Sequence, residues 1–226
     1  RFYKDKGLIP AEAFSLLYDR MGSGRLLVCC GPFSDDMHHL PPFHTVFTKG
    51  FAGVRKEVEV ALAACPADDP LGKKELETAL VGLDTIHEIQ LKFHEAAKGL
   101  GDARMIEASA RCPWEPPRTF YEGLNALWFI REILAYVDGL DQFALGRPDA
   151  WLIGFYRKEI AAGTLTEREA RELVAKFLVT ADCHLDTMAQ IRDDRQNDET
   201  EIPLTLGGCD EDGKRTYNEL TAMFLD

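Results

Sequence analysis

The sequence predicts a helix-dominated α/β chain that forms part of a larger barrel. Apolar residues recur at helical spacing over 71–99, where Leu76 and Leu83 share one face and Gly99 is the expected C-cap. By contrast, residues 202–206 read Ile-Pro-Leu-Thr-Leu and predict a strand. One strand cannot bury its own faces, so the pattern fits a piece of an α/β barrel better than a complete domain.

The first part of the chain predicts further helices. Residues 11–21 carry an apolar face, whereas 25–30 is a short apolar run that fits a helix or a strand. A pair of prolines then precedes a helix predicted to run from Phe43 past Val60. Gly50 and Gly53 interrupt this helix and could split it in two.

The second half predicts four more helices. The helix predicted at 119–137 is apolar almost all round, which is typical of a helix buried in a larger protein. Prolines keep 113–117 a loop, with helix expected to begin near Pro117. Thr166 and Glu169 form a predicted capping box, and 210–213 is a predicted turn after a polar loop at 196–201. The predicted helices are 119–137, 149–162 with Gly163 as its stop, 166–185 and 218–226.

Charge and cysteine content exclude some classes of protein. The net charge is −12, which argues against nucleic acids and anionic membranes as partners because both attract positive surfaces. Six scattered cysteines, without a Cys-x-x-Cys pair, indicate a reducing compartment, and we expect a cytoplasmic protein. No apolar run approaches membrane-spanning length.

A histidine cluster is a candidate metal site. His38, His39 and His44 lie near Asp35 and Asp36 in sequence. Imidazoles and carboxylates are metal ligands, but the spacing fits no helical pair and prolines break the segment. An ordinary solvated loop is therefore the favoured interpretation.

Three ordered blocks carry a family resemblance. Pro-Pro-Arg-Thr-Phe-Tyr-Glu-Gly opens 116–129, Leu-Gly-Arg-Pro-Asp fills 145–149, and Leu-Gly-Gly-Cys-Asp-Glu-Asp-Gly at 206–213 precedes Asn-Glu-Leu-Thr at 218–221. In this order they resemble the barrel domain of glycyl radical enzymes, the pyruvate formate-lyase-like family. The resemblance implies that 1–226 is the N-terminal part of a ten-stranded barrel wrapped by helices. The radical cysteine and the radical glycine are then expected beyond Asp226, so 1–226 should contain no catalytic residue and should be inactive by itself.

The resemblance also implies a chemistry. In this family a radical-SAM activating enzyme installs a radical on a backbone glycine, which generates a thiyl radical that abstracts hydrogen from the substrate. Carbon–carbon, carbon–oxygen or carbon–nitrogen cleavage follows, in a barrel that excludes water and oxygen. The implied protein is a lyase or dehydratase, formate acetyltransferase-like, and a homodimer acting on a small molecule. It binds no metal or organic cofactor of its own.

One predicted substrate contact is His38. Some dehydratases and lyases of the family carry Gly-His-Thr-x-Pro-Asp-Tyr before a Lys-Gly-Phe-x-Gly segment. The offset from Pro41 to Gly50 places His38 on the family histidine, although Pro42 and Phe43 replace the Asp and Tyr. The resemblance thus implies that His38 faces the substrate, whereas His39 and His44 do not.

Asp141 and Gln142 complete the predicted site. The diol-type members carry a His-Ser pair before Gly-Arg, and this chain has Asp141 and Gln142 ahead of Gly146. An acidic lining favours a cationic or hydroxylated substrate. We therefore expect neither glycerol nor propanediol as substrate. The alternative is that Asp141 is only a loop residue after a helix.

Two other functional classes remain open. The chain could be a non-catalytic helical interaction protein derived from the family, or a helical metalloprotein using its histidine cluster. Arg147 and Asp149 are expected to make structural ion pairs and caps. Cys209 is expected at the end of a strand and not as the thiyl residue.

Overall fold

The computed structural model describes residues 41–134, 144–182 and 204–226, together with the backbone of two short strands. These strands, β1 (Cys30–Gly31) and β2 (Ser34–Asp35), pair antiparallel. The predicted helix at 11–21, most of the run at 25–30 and the polar loop at 196–201 lie outside the described residues.

Helices dominate the described residues, as predicted. None of these helices combines the length and the apolar character that crossing a membrane requires. The ten-stranded barrel is not seen in the described ranges, whose strand content is β1, β2 and one bridge between Cys209 and Arg215. The helices are α1 (Phe43–Ala63), α2 (Pro70–Leu100), α3 (Ala103–Arg111), α4 (Phe120–Ile133), α5 (Pro148–Ala162), α6 (Glu167–Asp182) and α7 (Glu219–Leu225).

Helix α1 is kinked at Gly50 but not at Gly53. Gly50 has φ 65° and ψ 173°, a conformation that glycine adopts without steric cost. A Cβ at this position would lie 2.7 Å from the carbonyl carbon of Glu115 and closer still to the carbonyl oxygen of Trp114. The kink frees the next two amides, so Phe51 N and Ala52 N donate to the carbonyls of the 113–114 segment, at 3.2 and 2.9 Å.

Helix α2 ends at a different glycine from the predicted one. Gly99 lies inside the helix, and Gly101, with φ 75°, is the left-handed C-cap. Asp102 follows at once and accepts a hydrogen bond from Met105 N at 2.9 Å, which begins α3. Helix α3 was not predicted, because its nine residues are too few to show a convincing period.

Helix α4 begins within one residue of its predicted start at 119, but Pro117 lies before its first turn. Thr119 is the N-cap, and its hydroxyl accepts from Glu122 N at 3.1 Å. The predicted burial is confirmed, because α4 is buried almost all round, with Phe120 and Leu127 inaccessible to solvent. The predicted end, 135–137, lies outside the described residues. At Gly123 a side chain would collide with Leu152, so this glycine lets α4 and α5 pack closely.

The ends of the last three helices follow their sequence signals. Gly163, with φ 69°, ends α5. The Thr166 hydroxyl and the Glu169 carboxylate cap each other's backbone amides at the start of α6, at 3.2 and 2.8 Å. Asn218 and Thr221 form a second capping box at the start of α7.

The predicted strand at 202–206 is not a strand in its described part, 204–206. Thr205 N donates to Gly146 O at 2.8 Å, and a ladder would need a neighbouring strand that the described residues do not provide. A strand is stable only when it is paired, so the predicted strand does not form without a partner among the described residues.

The hydrophobic core lies around α4. Residues from α1, α5, α6 and α7 pack against it, and α4 carries more buried residues than any other described helix. Helices α1, α2 and α3 pack together beside this core. The fully inaccessible core side chains include Phe120, Leu127, Leu145, Leu152, Ala170 and Leu220.

Candidate functional site

The three predicted substrate contacts, His38, Asp141 and Gln142, lie outside the described residues, as does His39. They remain predictions. His44 is described: it is exposed in the first turn of α1, and its carbonyl accepts a hydrogen bond from the Thr48 hydroxyl at 2.7 Å. Within the described ranges, no three His, Cys, Asp or Glu side chains come together as metal ligands.

The segment that carries Asp141 and Gln142 is flanked by buried chain on both sides. Ile133 is buried before it, and Leu145 is inaccessible after it. Gly146, with φ 62°, turns the chain there, and its carbonyl accepts the Thr205 amide. The described residues on both sides of 135–143 therefore belong to the core.

Asp149 is the centre of a buried junction between the sequence blocks. Its side chain is inaccessible to solvent. One carboxylate oxygen, Oδ2, accepts from Gly207 N at 2.7 Å and from the Thr221 hydroxyl at 2.6 Å. The other, Oδ1, accepts from Ala150 N at 2.8 Å. A buried carboxylate is costly unless it is fully hydrogen-bonded, and these three donors meet that requirement.

Arg147 makes the second half of this junction. Its guanidinium donates to the carbonyls of Gly207 and Cys209, at 2.5 and 3.3 Å, and to the Thr216 hydroxyl. The role is structural, as predicted, but the partners are neutral oxygens and not the expected carboxylate of an ion pair. Gly207 and Gly208 have positive φ, which lets the loop turn its carbonyls towards the guanidinium.

Asn218 closes the junction. Its side-chain amide donates to Asp149 O at 3.3 Å, while its Oδ1 accepts from Leu220 N at 2.9 Å. The Leu-Gly-Arg-Pro-Asp, Leu-Gly-Gly and Asn-Glu-Leu-Thr blocks, far apart in sequence, therefore meet at one carboxylate. Each block is recognisable in the sequence, but no local pattern indicates that the blocks are in contact.

Asp226, the last residue of the sequence, lies against α6. Its backbone amide donates to Ala222 O at 3.1 Å, and its carboxylate accepts from Arg171 Nη1 at 2.8 Å. Both side chains are largely exposed, so this ion pair is a surface contact and not a reacting group. The radical cysteine and glycine expected beyond Asp226 lie outside this sequence, and that expectation remains a prediction.

A second buried junction holds the Pro-Pro-Arg-Thr-Phe-Tyr-Glu block. Glu122 is buried and accepts from Arg111 Nη1 at 2.8 Å and from Arg118 N at 2.6 Å. Arg111 also donates to Pro116 O at 2.9 Å. On the other side of the block, Phe120 N donates to the Glu159 carboxylate at 2.6 Å. These bonds fasten the loop to α3 and α5.

Gln90 extends this second junction to α2. Its amide oxygen accepts from Trp114 N at 2.8 Å, and its amide nitrogen donates to Ser109 O at 3.1 Å. The His87 ring stacks on Trp114 with 3.9 Å between ring centroids. Buried and hydrogen-bonded through both amide atoms, Gln90 holds the 113–117 loop against α2 and α3.

The described cysteines differ sharply in exposure. Cys112 is buried, and burial, with a smaller contribution from the Glu122 charge, raises its pKa to about 12. A thiol of this kind stays protonated at neutral pH. Cys209 is exposed in an isolated bridge to Arg215, and not at the end of a strand as predicted, because the described residues 204–206 before it do not form one.

Comparison with known proteins identifies the family. Residues 25–226 match the family described as pyruvate formate lyase-like, and because this match covers most of the chain, the chain belongs to that family.

The relatives are longer proteins. An isethionate sulfite-lyase of Bilophila wadsworthia (strain 3_1_6) is 26% identical over 239 residues, which cover 96% of this chain and 29% of that protein. A trans-4-hydroxy-L-proline dehydratase of Clostridioides difficile is 23% identical over 219 residues, covering 87% of this chain and 28% of that protein. The chain thus spans less than a third of the length of these relatives.

The fold has solved counterparts. A crystal structure of a glycyl radical enzyme from Archaeoglobus fulgidus superposes with a TM-score of 0.73 at 21% identity, covering 94% of this chain and 30% of that one. This likeness shows that the helical arrangement described above is a fold of that class.

Proposed function

We propose that the protein carrying this chain is a glycyl radical lyase or dehydratase that acts on a small organic substrate. The observation that carries the proposal is the family match over 25–226. It is supported by relatives named as a sulfite-lyase and a dehydratase.

In this proposal the described residues act as a frame and not as the reacting groups. The Asp149 junction and the Glu122 junction each join segments that are distant in sequence. Both are buried and charged, so they hold one geometry instead of several. The frame fixes the flanks of 135–143, the segment on which Asp141 and Gln142 lie.

The proposed substrate contacts are His38, Asp141 and Gln142. A histidine can donate to or accept from a substrate oxygen near neutral pH. A carboxylate at 141 favours a substrate with a hydroxyl or a cationic group and disfavours an anionic sulfonate. Among the relatives' named substrates, hydroxyproline suits this lining better than isethionate does, and glycerol and propanediol lack their usual His-Ser partners.

The radical chemistry is proposed to reside beyond Asp226. A cysteine and a glycine radical site, with a radical-SAM activating enzyme as partner, supply hydrogen abstraction in this scheme. A homodimer in the cytoplasm is part of the same proposal, as is the ten-stranded barrel with this chain as its N-terminal part.

Electron paramagnetic resonance tests the proposal directly. The full-length gene product, incubated anaerobically with its activating enzyme and S-adenosylmethionine, should give the doublet of a glycyl radical. The 226-residue chain under the same conditions should give neither doublet nor turnover. A full-length product that lacks the signal after activation, or turnover by the short chain, would contradict the proposal.

Substrate choice is tested on the activated protein. Hydroxyproline, isethionate, glycerol and propanediol are each supplied at equal concentration, and product is measured by mass spectrometry. We expect turnover of a hydroxylated cationic or zwitterionic compound and none of the two diols. Efficient dehydration of either diol would refute the role assigned to Asp141 and Gln142.

The two alternatives give different results. A non-catalytic interaction protein would give no radical signal with any activating enzyme. A metalloprotein using His38, His39 and His44 would retain stoichiometric metal after purification, and His44→Ala would lower that metal content. We expect neither metal nor any effect of that substitution.

A further inference from the structure

We draw no further inference here: the strongest candidate, the cleft between α1, the 117–118 loop and α5 that is lined by Phe47, Trp151 and Phe155, carries none because nothing in the structure shows what covers this aromatic face in a chain that spans less than a third of the length of its relatives.

Discussion

Removing the Asp149 carboxylate should destabilise the fold more than removing any exposed acidic side chain. In Asp149→Ala, the Gly207 amide and the Thr221 hydroxyl lose their shared acceptor inside a buried junction. A buried donor left unpaired costs about 1–3 kcal/mol, so two such donors give about 2–6 kcal/mol. A typical domain is stable by about 5–15 kcal/mol, so much of the stability is lost.

Asp149→Asn should lower the free energy of unfolding less than Asp149→Ala does. The amide oxygen of asparagine can still accept from Gly207 and Thr221, but its NH₂ group then faces the Ala150 amide, where Oδ1 now accepts. One bond is lost and the charge assistance of the others disappears, so we expect a smaller loss of about 1–2 kcal/mol. We therefore expect the wild type to be the most stable, Asp149→Asn to be less stable and Asp149→Ala to be the least stable.

Urea unfolding followed by far-ultraviolet circular dichroism measures these changes. Asp212→Ala, in the exposed 210–213 turn, is the control and should leave the midpoint unchanged within error. Thr221→Val combined with Asp149→Ala should cost clearly less than the sum of the two single changes, because they share one bond. An Asp149→Ala protein as stable as the control, or strictly additive costs, would refute the junction.

Three other predictions follow from single residues. Gly50→Ala should lower the free energy of unfolding by at least about 1–3 kcal/mol, because Gly50 has a positive φ and the 114–116 loop lies against it. Gly154→Ala, inside α5, should instead raise the free energy of unfolding by about 0.5–1 kcal/mol. The midpoints of urea unfolding measure both changes, and equal effects would contradict these expectations. The pKa of the Cys112 thiol is raised from 9.0 to about 12, so its contribution to the free energy of unfolding is full below pH 9 and is lost as pH rises towards 12, by at most about 4 kcal/mol. Cys112→Ala should flatten this decline in the free energy of unfolding, measured at about pH 8–11. An unchanged slope would contradict the prediction. His38→Ala should greatly reduce turnover of the activated protein and His39→Ala should not; equal, small effects would show that the sequence register is mistaken.

The sequence determined the helices with strong local signals. Gly163 after α5, the Thr166–Glu169 box of α6 and the start of α7 at Asn218 were all predicted, because caps depend on side chains within a few residues. The apolar pattern of 119–137 likewise predicted that α4 would be buried. The three ordered blocks also carried the family resemblance, because the identity and order of sequence motifs can be read without a structure.

Where local signals were weak or competed, the predicted boundaries differ from the observed ones. Gly99 and Gly101 are both glycines at the end of α2, and only the observed chain reversal into Asp102 distinguishes them. Pro117 suits the first turn of a helix, yet Thr119 caps α4. A strand at 202–206 was predicted from residue type alone, but strands depend on partners that are often remote in sequence.

Tertiary structure alone decided what the motif residues do. Arg147, Asp149, Gly207 and Thr221 could be recognised as family-like, but nothing local indicates that one carboxylate joins them. The same holds for the cleft lined by Phe47, Trp151 and Phe155, whose lining residues come from three separate segments. Contacts between distant segments depend on how whole helices pack, and helical period and capping residues specify only which face of each helix is buried.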